Sequence, residues 1–234
     1  MDYEQKLLHE YFPDDDDFAA ASARVKNGEP LAYIIGEWGF YGEMYTVTPA
    51  VLIPRPDTET LVEQAIRLMP DSGRMLDLCT GSGCVGISSL CHTNLTSADL
   101  LDISPDALDV ARVNAERNGV SARLTFIQGD VRTYTPAQHY DIITANPPYI
   151  RTNVIDTLSE QVRREPRIAL DGGVDGLEFY RVLLERYIAH CSYLVFEIGY
   201  DQRYDISCLC VAYSKNVEFF KDLGGNFRVA VVQK

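Results

Sequence analysis

From residue 74 to the C-terminus, short apolar runs alternate with amphipathic runs along the chain. The apolar runs have the length of buried strands, and the runs between them repeat apolar residues at helical spacing. Seven runs predict strands: RMLDLC, SADLLDI, ARLTFI, YDIITA, YLVFEIG, NVEFF and NFRVAVV. Helices are predicted over 83–90, 105–119, 177–189 and about 201–212. This alternation predicts an α/β fold with a doubly wound, mostly parallel, seven-stranded sheet, whose last two strands form a hairpin.

The N-terminal residues follow a different pattern. Helices are predicted over 2–12 and 18–27, extended or hairpin structure over 31–53, and a loop over 146–173. We interpret the acidic run 14–17 as a solvated turn. After two prolines, Asp57 or Thr58 is expected to cap the next helix. We therefore divide the chain into a short helical and hairpin region, 1–56, and a larger domain, 57–234.

Composition and charge narrow the class of protein. The 234 residues are 46% hydrophobic and 24% charged, which is typical of a globular protein and excludes a disordered chain. The formal net charge of −13 disfavours nucleic acid as a partner, because phosphate groups are repelled. No apolar run approaches the roughly 20 residues of a membrane span, and no signal sequence is visible, so we expect a cytoplasmic protein. The six cysteines and four histidines lack the spacing of a metal site, so we expect reduced cysteines and no metal.

The segment 77–84, DLCTGSGC, joins the first strand of the predicted sheet to a helix. In doubly wound sheets ligands bind at the carboxyl ends of strands, and glycines there let the backbone approach a ligand closely. The next two strands end at Asp102 and at Gly129-Asp130, which are placed to meet ribose hydroxyls and a base edge. Together these three strand ends predict a cofactor that contains adenosine.

The glycines of this turn leave two cofactors and one simpler interpretation open. Gly81, Gly83 and Gly86 match the dinucleotide fingerprint, which is a weak signal by itself. Asp77, however, would repel a pyrophosphate and attract the ammonium group of S-adenosylmethionine, so the sequence favours this sulfonium cofactor over NAD. The simpler interpretation is that the glycines only form a tight turn.

The segment Asn146-Pro147-Pro148-Tyr149 directly follows the strand YDIITA. A planar amide or aryl amine is a poor nucleophile, because its nitrogen lone pair is delocalised. The Asn146 side-chain oxygen and a rigidly held proline carbonyl can accept both N–H bonds of such a nitrogen, which stabilises positive charge in the transition state. Tyr149 can pack against the flat acceptor group. A Pro-Pro turn with an asparagine cap is the alternative interpretation.

Longer motifs make the chain resemble the release-factor glutamine methyltransferases, the PrmC/HemK family. The motifs are GEPLAYIIG (28–36), LIPRPDTETLVE (52–63), DLCTGSGCVG (77–86), DISPDALDVARVNA (102–115), NPPYI (146–150), EPRIALDGGVDGLEFYR (165–181), FEIGYDQ (196–202) and KDLGGNFRV (221–229). NPPY alone is shared with several amino-methyltransferases. Its combination with LIPRPDTE and EPRIALDGGVDGL is specific to this family.

The resemblance implies a class I methyltransferase with a Rossmann-like fold. It implies methylation of the side-chain amide nitrogen of the Gly-Gly-Gln glutamine in peptide chain release factors, with S-adenosylmethionine converted to S-adenosylhomocysteine. The implied cofactor residues are Asp77, Cys79, Thr80, Gly81, Ser82, Gly83, Asp102, Ile103, Asp130, Val131 and Asn146. The implied catalytic residues are Asn146, Pro147 and Tyr149, and Pro148 joins them in binding substrate. We expect a monomer whose partners are release factors, without direct binding of nucleic acid or membrane.

Two features depart from the family pattern. Cys79 stands where the family usually has glycine, and a side chain fits there if φ is negative. Only 27 residues precede the GEPLAYIIG motif, where the family has a domain of several helices, so we expect a truncated substrate-recognition region. The segment 54–59 is expected to line the cleft, and Glu197 to lie near it in a role that the sequence does not assign.

Two other functions fit parts of this pattern. The same NPPY chemistry serves an adenine or guanine amine, so a methyltransferase acting on nucleic acid is the first alternative. Such an enzyme needs a basic groove, which the net charge of −13 disfavours. A non-catalytic module that binds the cofactor and retains the fold is the second alternative.

Overall fold

The N-terminal part of the chain forms helices and a β-hairpin. The computed structural model describes residues 3–94, 96–211, 213 and 216–234. Its N-terminal elements are α1 (Tyr3–Tyr11), α2 (Asp15–Lys26), α3 (Leu31–Ile35), β1 (Glu37–Phe40), β2 (Glu43–Thr46) and α4 (Glu59–Leu68). The first two predicted helices and the hairpin are confirmed. Asp2, the first residue of one predicted helix, and Ala212, the last residue of another, lie outside the described residues.

Two local predictions in this part are wrong. Leu31–Ile35 is helical rather than extended. Four consecutive residues of the segment are buried, and Gly36 ends the helix in a left-handed conformation with φ of 83°. The acidic run is not a free turn. The side chain of Asp14 accepts hydrogen bonds from the N–H groups of Asp16 and Asp17, so it caps α2. Carboxylates in the first turn of α2 also complement the helix dipole.

The remaining elements build a doubly wound sheet. They are β3 (Arg74–Leu78), α5 (Cys84–Cys91), β4 (Ser97–Asp102), α6 (Pro105–Arg117), β5 (Leu124–Gln128), β6 (Tyr140–Ala145), α7 (Thr152–Ile155), α8 (Glu160–Arg163), α9 (Glu178–Arg186), β7 (Cys191–Glu197), α10 (Arg203–Val211), β8 (Asn216–Lys221) and β9 (Phe227–Gln233). Within the described residues the strand order of the seven-stranded sheet is β5-β4-β3-β6-β7-β9-β8. Strands β3 to β7 pair in parallel, and β9 runs antiparallel to β7 and β8. The predicted sheet and its final hairpin are confirmed.

Each face of the sheet has its own core, because alternate residues of a strand point to opposite faces. Leu76 and Leu78 of β3 belong to one apolar cluster, together with Tyr180 of α9. Met75 of β3 belongs to the other, together with Leu61 of α4. The central strands are covered on both sides, so their residues read as continuous apolar runs rather than as alternating ones.

The segment predicted as a loop over 146–173 contains α7 and α8 and a 3₁₀ turn at Arg167–Ala169. Each of these elements has only three or four residues, too few to show a helical period in the sequence. The Ser159 hydroxyl caps α8 by accepting a hydrogen bond from the N–H of Val162. The segment 146–173 therefore contains short helical turns and is not one irregular loop.

The hairpin is attached to the sheet domain by buried polar contacts. The hydroxyl of Tyr45, in β2, lies 2.6 Å from the hydroxyl of Ser88 in α5. Asn114, in α6, accepts a hydrogen bond from the N–H of Thr46 at 2.6 Å and donates to the Thr46 carbonyl at 3.0 Å. The same amide of Asn114 donates to the carbonyl of Ser82, in the turn before α5, at 2.9 Å. One asparagine thus joins the hairpin to the glycine turn.

Three further observations concern membrane-spanning helices, metal sites and disulfides. No helix in the described ranges is long and apolar enough to cross a membrane. Among the residues that the structure describes, no group of three or more His, Cys, Asp or Glu side chains is arranged to hold a metal ion. The six cysteines are free thiols, so none is tied into a disulfide.

The turn from β3 into α5 contains three left-handed residues. The φ angle is 56° at Cys79, 55° at Gly81 and 82° at Gly83. The condition under which a side chain fits at Cys79 without strain, a negative φ, is therefore not met. A left-handed conformation costs a residue that has a Cβ atom roughly 1–2 kcal/mol, so Cys79 keeps the backbone shape of a glycine at a cost in stability.

Replacing Cys79 by glycine and by alanine tests this conformation. Both variants remove the thiol, but only glycine relieves the left-handed strain, so C79G is expected to exceed C79A in unfolding free energy by about 1 kcal/mol. At the exposed position Val113, inside α6, the order is expected to reverse, with V113G about 1 kcal/mol less stable than V113A. Urea unfolding of the four variants measures both differences. Equal stabilities of C79G and C79A would contradict the observed backbone.

Candidate functional site

An open cleft of about 1010 Å³ lies at the carboxyl ends of β3, β4 and β6. All residues that the sequence predicts to bind cofactor line this cleft except Gly83. From the NPPY segment, Asn146 and Pro148 belong to the lining, whereas Pro147 and Tyr149 do not. The structure therefore brings the glycine turn together with Asn146 and Pro148 of the acceptor segment, 146–149, in one cavity.

The carboxylate of Asp77 sits at the base of the glycine turn. It is 1% exposed and accepts hydrogen bonds from the hydroxyls of Thr80, at 2.5 Å, and Thr144, at 2.7 Å. Burial raises the pKa of Asp77 to about 6, although these hydrogen bonds lower it. The group therefore changes charge near neutral pH, and its ionised form is held by donors from both β6 and the turn.

The carboxylate of Asp102, at the end of β4, also shapes the turn. One of its oxygens accepts the N–H of Gly81 at 2.8 Å, and the other accepts the N–H of Ser104 at 2.9 Å. Burial raises the pKa of Asp102 as well. Each carboxylate oxygen has a second lone pair, so both can still accept a ligand hydroxyl.

The two remaining predicted strand-end residues differ in environment. Val131 is 5% exposed and packs in the core. The carboxylate of Asp130 forms an ion pair with Arg132 at 2.8 Å, and this contact lowers the pKa of Asp130. Asp130 lines the cleft with its charge already partnered. Its side chain is therefore less available to a ligand than that of Asp102.

A chain of hydrogen bonds runs behind Asn146. Its amide nitrogen, Nδ2, donates to the hydroxyl of Thr58 at 3.2 Å, and that hydroxyl donates to Glu197 at 2.6 Å. The hydroxyl of Tyr149 donates to the other oxygen of Glu197 at 3.0 Å. Glu197 is 2% exposed, and its burial raises its pKa. Glu197 thus lies behind Asn146, and it is hydrogen-bonded to Thr58 and to Tyr149 of the acceptor segment.

The two acceptor residues of the segment differ in position, because Asn146 lines the cleft whereas Pro147 is buried and does not line it. Among the described residues, the hydrogen bonds leave the carbonyl of Pro147 and the side-chain oxygen of Asn146 without a donor. Two glycines, Gly172 and Gly176, pack directly against the backbone of Tyr149 in this segment. An added Cβ at Gly172 would lie 2.6 Å from the Cα of Tyr149, and one at Gly176 would lie 2.5 Å from the Tyr149 carbonyl oxygen. The EPRIALDGGVDGL motif therefore packs bare backbone against the NPPY turn.

The LIPRP segment forms a second wall of the cleft. Of the residues 54–59 that the sequence predicts to line the cleft, three do so and three do not, namely Pro56, Asp57 and Glu59. Pro54, Arg55 and Thr58 line the cleft. Glu165, which is 4% exposed, accepts hydrogen bonds from the N–H of Ile53, at 3.0 Å, and from the side chain of Arg55. Burial raises the pKa of Glu165, against the attraction of Arg55. This buried carboxylate joins the two motifs across the cleft.

The residues of the PDTE stretch each contact a different part of the chain. Asp57 forms an ion pair with Arg228 of β9 at 2.9 Å, and Glu59 accepts the N–H of Tyr41 at 2.9 Å. Thr58 precedes α4 but makes no side-chain capping bond, so the predicted capping role is wrong for both Asp57 and Thr58. The contacts of Thr58 leave no local signal in the sequence, because its partner Glu197 is 139 residues away.

Solved structures share this architecture. A methyltransferase from Pyrococcus furiosus superposes with a TM-score of 0.63 at 18% identity, over 92% of this chain and 98% of that one. A ribosomal protein L11 methylase from Lactobacillus delbrueckii gives a TM-score of 0.56 at 20% identity, over 76% and 79% of the two chains. At these identities the likeness shows the fold, which is that of class I methyltransferases.

Sequence relatives are more specific. Residues 56–171 match the family model of the methyltransferase small domain. A release factor glutamine methyltransferase from Geobacter sulfurreducens is 42% identical over 187 residues, which are 77% of this chain and 64% of that protein. One from Aquifex aeolicus is 35% identical over 214 residues, which are 89% of this chain and 76% of that protein. The chain therefore belongs to the release factor glutamine methyltransferase family.

Proposed function

We propose that this protein transfers a methyl group from S-adenosylmethionine to the side-chain amide nitrogen of the Gly-Gly-Gln glutamine in peptide chain release factors. The observation that carries the proposal is the Asn146 side-chain oxygen, which receives no hydrogen bond within the described residues and belongs to the same cleft as the glycine turn. The family resemblance adds the Pro147 carbonyl as the second acceptor. The names of the relatives supply the release factor as substrate class. The family resemblance supplies the glutamine.

The residues of the cleft fit S-adenosylmethionine. Gly81 presents bare backbone to the cleft, since an added Cβ there would meet no atom within 4 Å. The carboxylates of Asp77 and Asp102 line the same side and favour a cation with free hydroxyls over a pyrophosphate. When bound, S-adenosylmethionine supplies a methyl group that is activated by its sulfonium. The turn 80–83 would hold the methionine part and Asp102 the ribose, with Asp130 and Val131 beside the adenine.

The chain's own contribution to the reaction is to prepare the amide nitrogen. Two acceptors on one side of the nitrogen take both N–H bonds and stabilise the positive charge that develops there during attack. Pro148 limits the backbone freedom of the residue before it, so the Pro147 carbonyl keeps a fixed direction. No base has to act before attack, because the proton leaves after the nitrogen has become cationic. Glu197 is therefore not needed as a base, and its oxygens already hold two hydroxyls.

We assign recognition of the release factor to residues 1–56 and cofactor binding with catalysis to 57–234. Residues 50–55 of the first region line the cleft, which supports a role beside the substrate. We also propose that the enzyme works as a monomer in the cytoplasm, where translation takes place. The net charge of −13 supports a protein substrate over nucleic acid.

Transfer of labelled methyl groups from S-adenosylmethionine to purified release factors tests the proposal. Label on the Gly-Gly-Gln glutamine, located by mass spectrometry, is the expected result. Asn146→Ala is expected to lower kcat by about 10²–10³-fold, because one transition-state acceptor is lost. Calorimetry of S-adenosylhomocysteine is expected to show little loss of affinity in the same variant.

The control for this prediction is Asn94→Ala, which makes the same change at an exposed position before β4. It is expected to keep the activity of the wild type. Label on RNA or DNA, with unlabelled release factor, would support the nucleic-acid alternative instead. Cofactor binding without transfer to any release factor would support the non-catalytic alternative.

Affinity for the cofactor product should depend on pH through Asp77. The pKa of about 6 means that Asp77 loses its negative charge as the pH falls below 6, and with it the attraction for an ammonium group. One unit below a pKa only about a tenth of a group is ionised, so affinity is expected to fall about tenfold between pH 8 and pH 5. Calorimetry with S-adenosylhomocysteine measures this change.

Asp77→Asn separates the effect of Asp77 from that of Asp102, whose pKa is also raised. This variant is expected to bind more weakly at pH 8 and to lose most of the dependence on pH. An unchanged pH dependence in Asp77→Asn would show that the charge of Asp77 does not act on the ligand.

A further inference from the structure

The only hydrogen of the Thr58 hydroxyl is committed to Glu197. A threonine hydroxyl has one O–H hydrogen and two lone pairs, and an ionised carboxylate can only accept. With Glu197 ionised, the contact of 2.6 Å between Thr58 and Glu197 uses that hydrogen. Only lone pairs of Thr58 are left to face Asn146.

This commitment fixes the orientation of the Asn146 amide. One end of an asparagine amide donates and the other end accepts, and the two ends have nearly the same shape. Only the nitrogen end can bond to the lone pairs of Thr58, at 3.2 Å. In the reverse orientation two acceptors would face each other. The amide oxygen is therefore the end of Asn146 that is left for the cleft, which Asn146 lines.

The surroundings leave little freedom to change this arrangement. Thr58 and Glu197 are each 2% exposed, so water has little access to replace either partner. The second oxygen of Glu197 accepts the hydroxyl of Tyr149 at 3.0 Å. Arg228, the cation close by, forms its ion pairs with Asp57 and Asp222. The hydroxyls of Thr58 and Tyr149 and the charge of Arg228 favour the ionised form of Glu197, against its burial, and this form sets the direction of the hydrogen bonds.

We propose that Thr58, aligned by Glu197, is a positioning residue that keeps the amide oxygen of Asn146 turned towards the substrate nitrogen. The inference rests on the proposed function, because the orientation matters for turnover only if Asn146 accepts an N–H bond from the substrate amide. With the opposite orientation, the NH₂ group of Asn146 would face the N–H groups of the substrate. The acceptor that stabilises the developing charge would then be lost.

Two substitutions at Thr58 separate the hydroxyl from the bulk of the side chain. Thr58→Val keeps the shape and removes the hydroxyl, so kcat is expected to fall about tenfold, the upper range for one hydrogen bond. The KM values for cofactor and release factor are expected to stay within about twofold, because the lost interaction acts mainly on the charge that develops in the transition state. Thr58→Ser restores the hydroxyl and is expected to recover kcat to within about threefold of the wild type.

Thr96→Val is the matched control, measured in the same assays at pH 8. The Thr96 hydroxyl donates to the Ser72 carbonyl just before β4. This contact lies at the amino ends of the strands, whereas the cleft lies at their carboxyl ends, so loss of the hydroxyl should leave kcat unchanged. A Thr58→Val enzyme with the kcat of the wild type would overturn the proposal. So would a Thr58→Ser enzyme that is as slow as Thr58→Val, since the hydroxyl would then not be the active feature.

A second measurement tests the orientation of the Asn146 side-chain amide in the absence of substrate. In spectra of ¹⁵N-labelled enzyme, the side-chain amide signals of Asn146 are identified by their loss in Asn146→Ala. Exchange of these hydrogens with water is expected to rise in Thr58→Val and to stay as in the wild type in Thr58→Ser and Thr96→Val. Equal exchange in Thr58→Val and the wild type would overturn the positioning role. If the wild type methylates no release factor, the proposed function is wrong, and these spectra still decide the orientation.

Discussion

One buried carboxylate, that of Glu197, joins stretches of chain that are far apart in sequence. It accepts hydroxyls from Thr58, 139 residues before it, and from Tyr149, 48 residues before it. A buried carboxylate is costly unless donors surround it, so the arrangement is stable only when β7, the PDTE stretch and the NPPY segment are all in place. The acceptor site therefore forms as a consequence of the complete fold.

The walls of the cleft follow the same principle. Asp77 collects donors from the glycine turn and from β6, and Glu165 collects donors from the LIPRP segment. In each case, burial raises the pKa of the carboxylate and hydrogen-bond donors lower it. The three motifs that identify the family are thus connected through carboxylates that are shielded from water. This gives a physical reason why LIPRPDTE and EPRIALDGGVDGL accompany NPPY in this chain.

Much of the fold could be predicted from the sequence, because strands covered on both faces appear as plain apolar runs and the helices between them have a clear period. The cleft could also be located, since the ends of parallel strands meet at one edge. The role of Thr58 could not be predicted in this way. Local pattern offers a cap for α4, whereas the actual partner comes from β7, and a single sequence contains no sign of that pairing. The same holds for Glu165 and Arg55, which are 110 residues apart. The helix α3 and the left-handed Cys79 are local features, but their sequences resemble those of other conformations.

Gly172 and Gly176 have a consequence for the mechanics of the acceptor segment. There is no room for a Cβ atom at either position, so main chain lies directly on main chain behind Tyr149. A contact of this kind contains no rotatable side chain that could absorb a displacement. A displacement of the glycine stretch must therefore be passed on to the backbone of Tyr149, since no side chain lies between them.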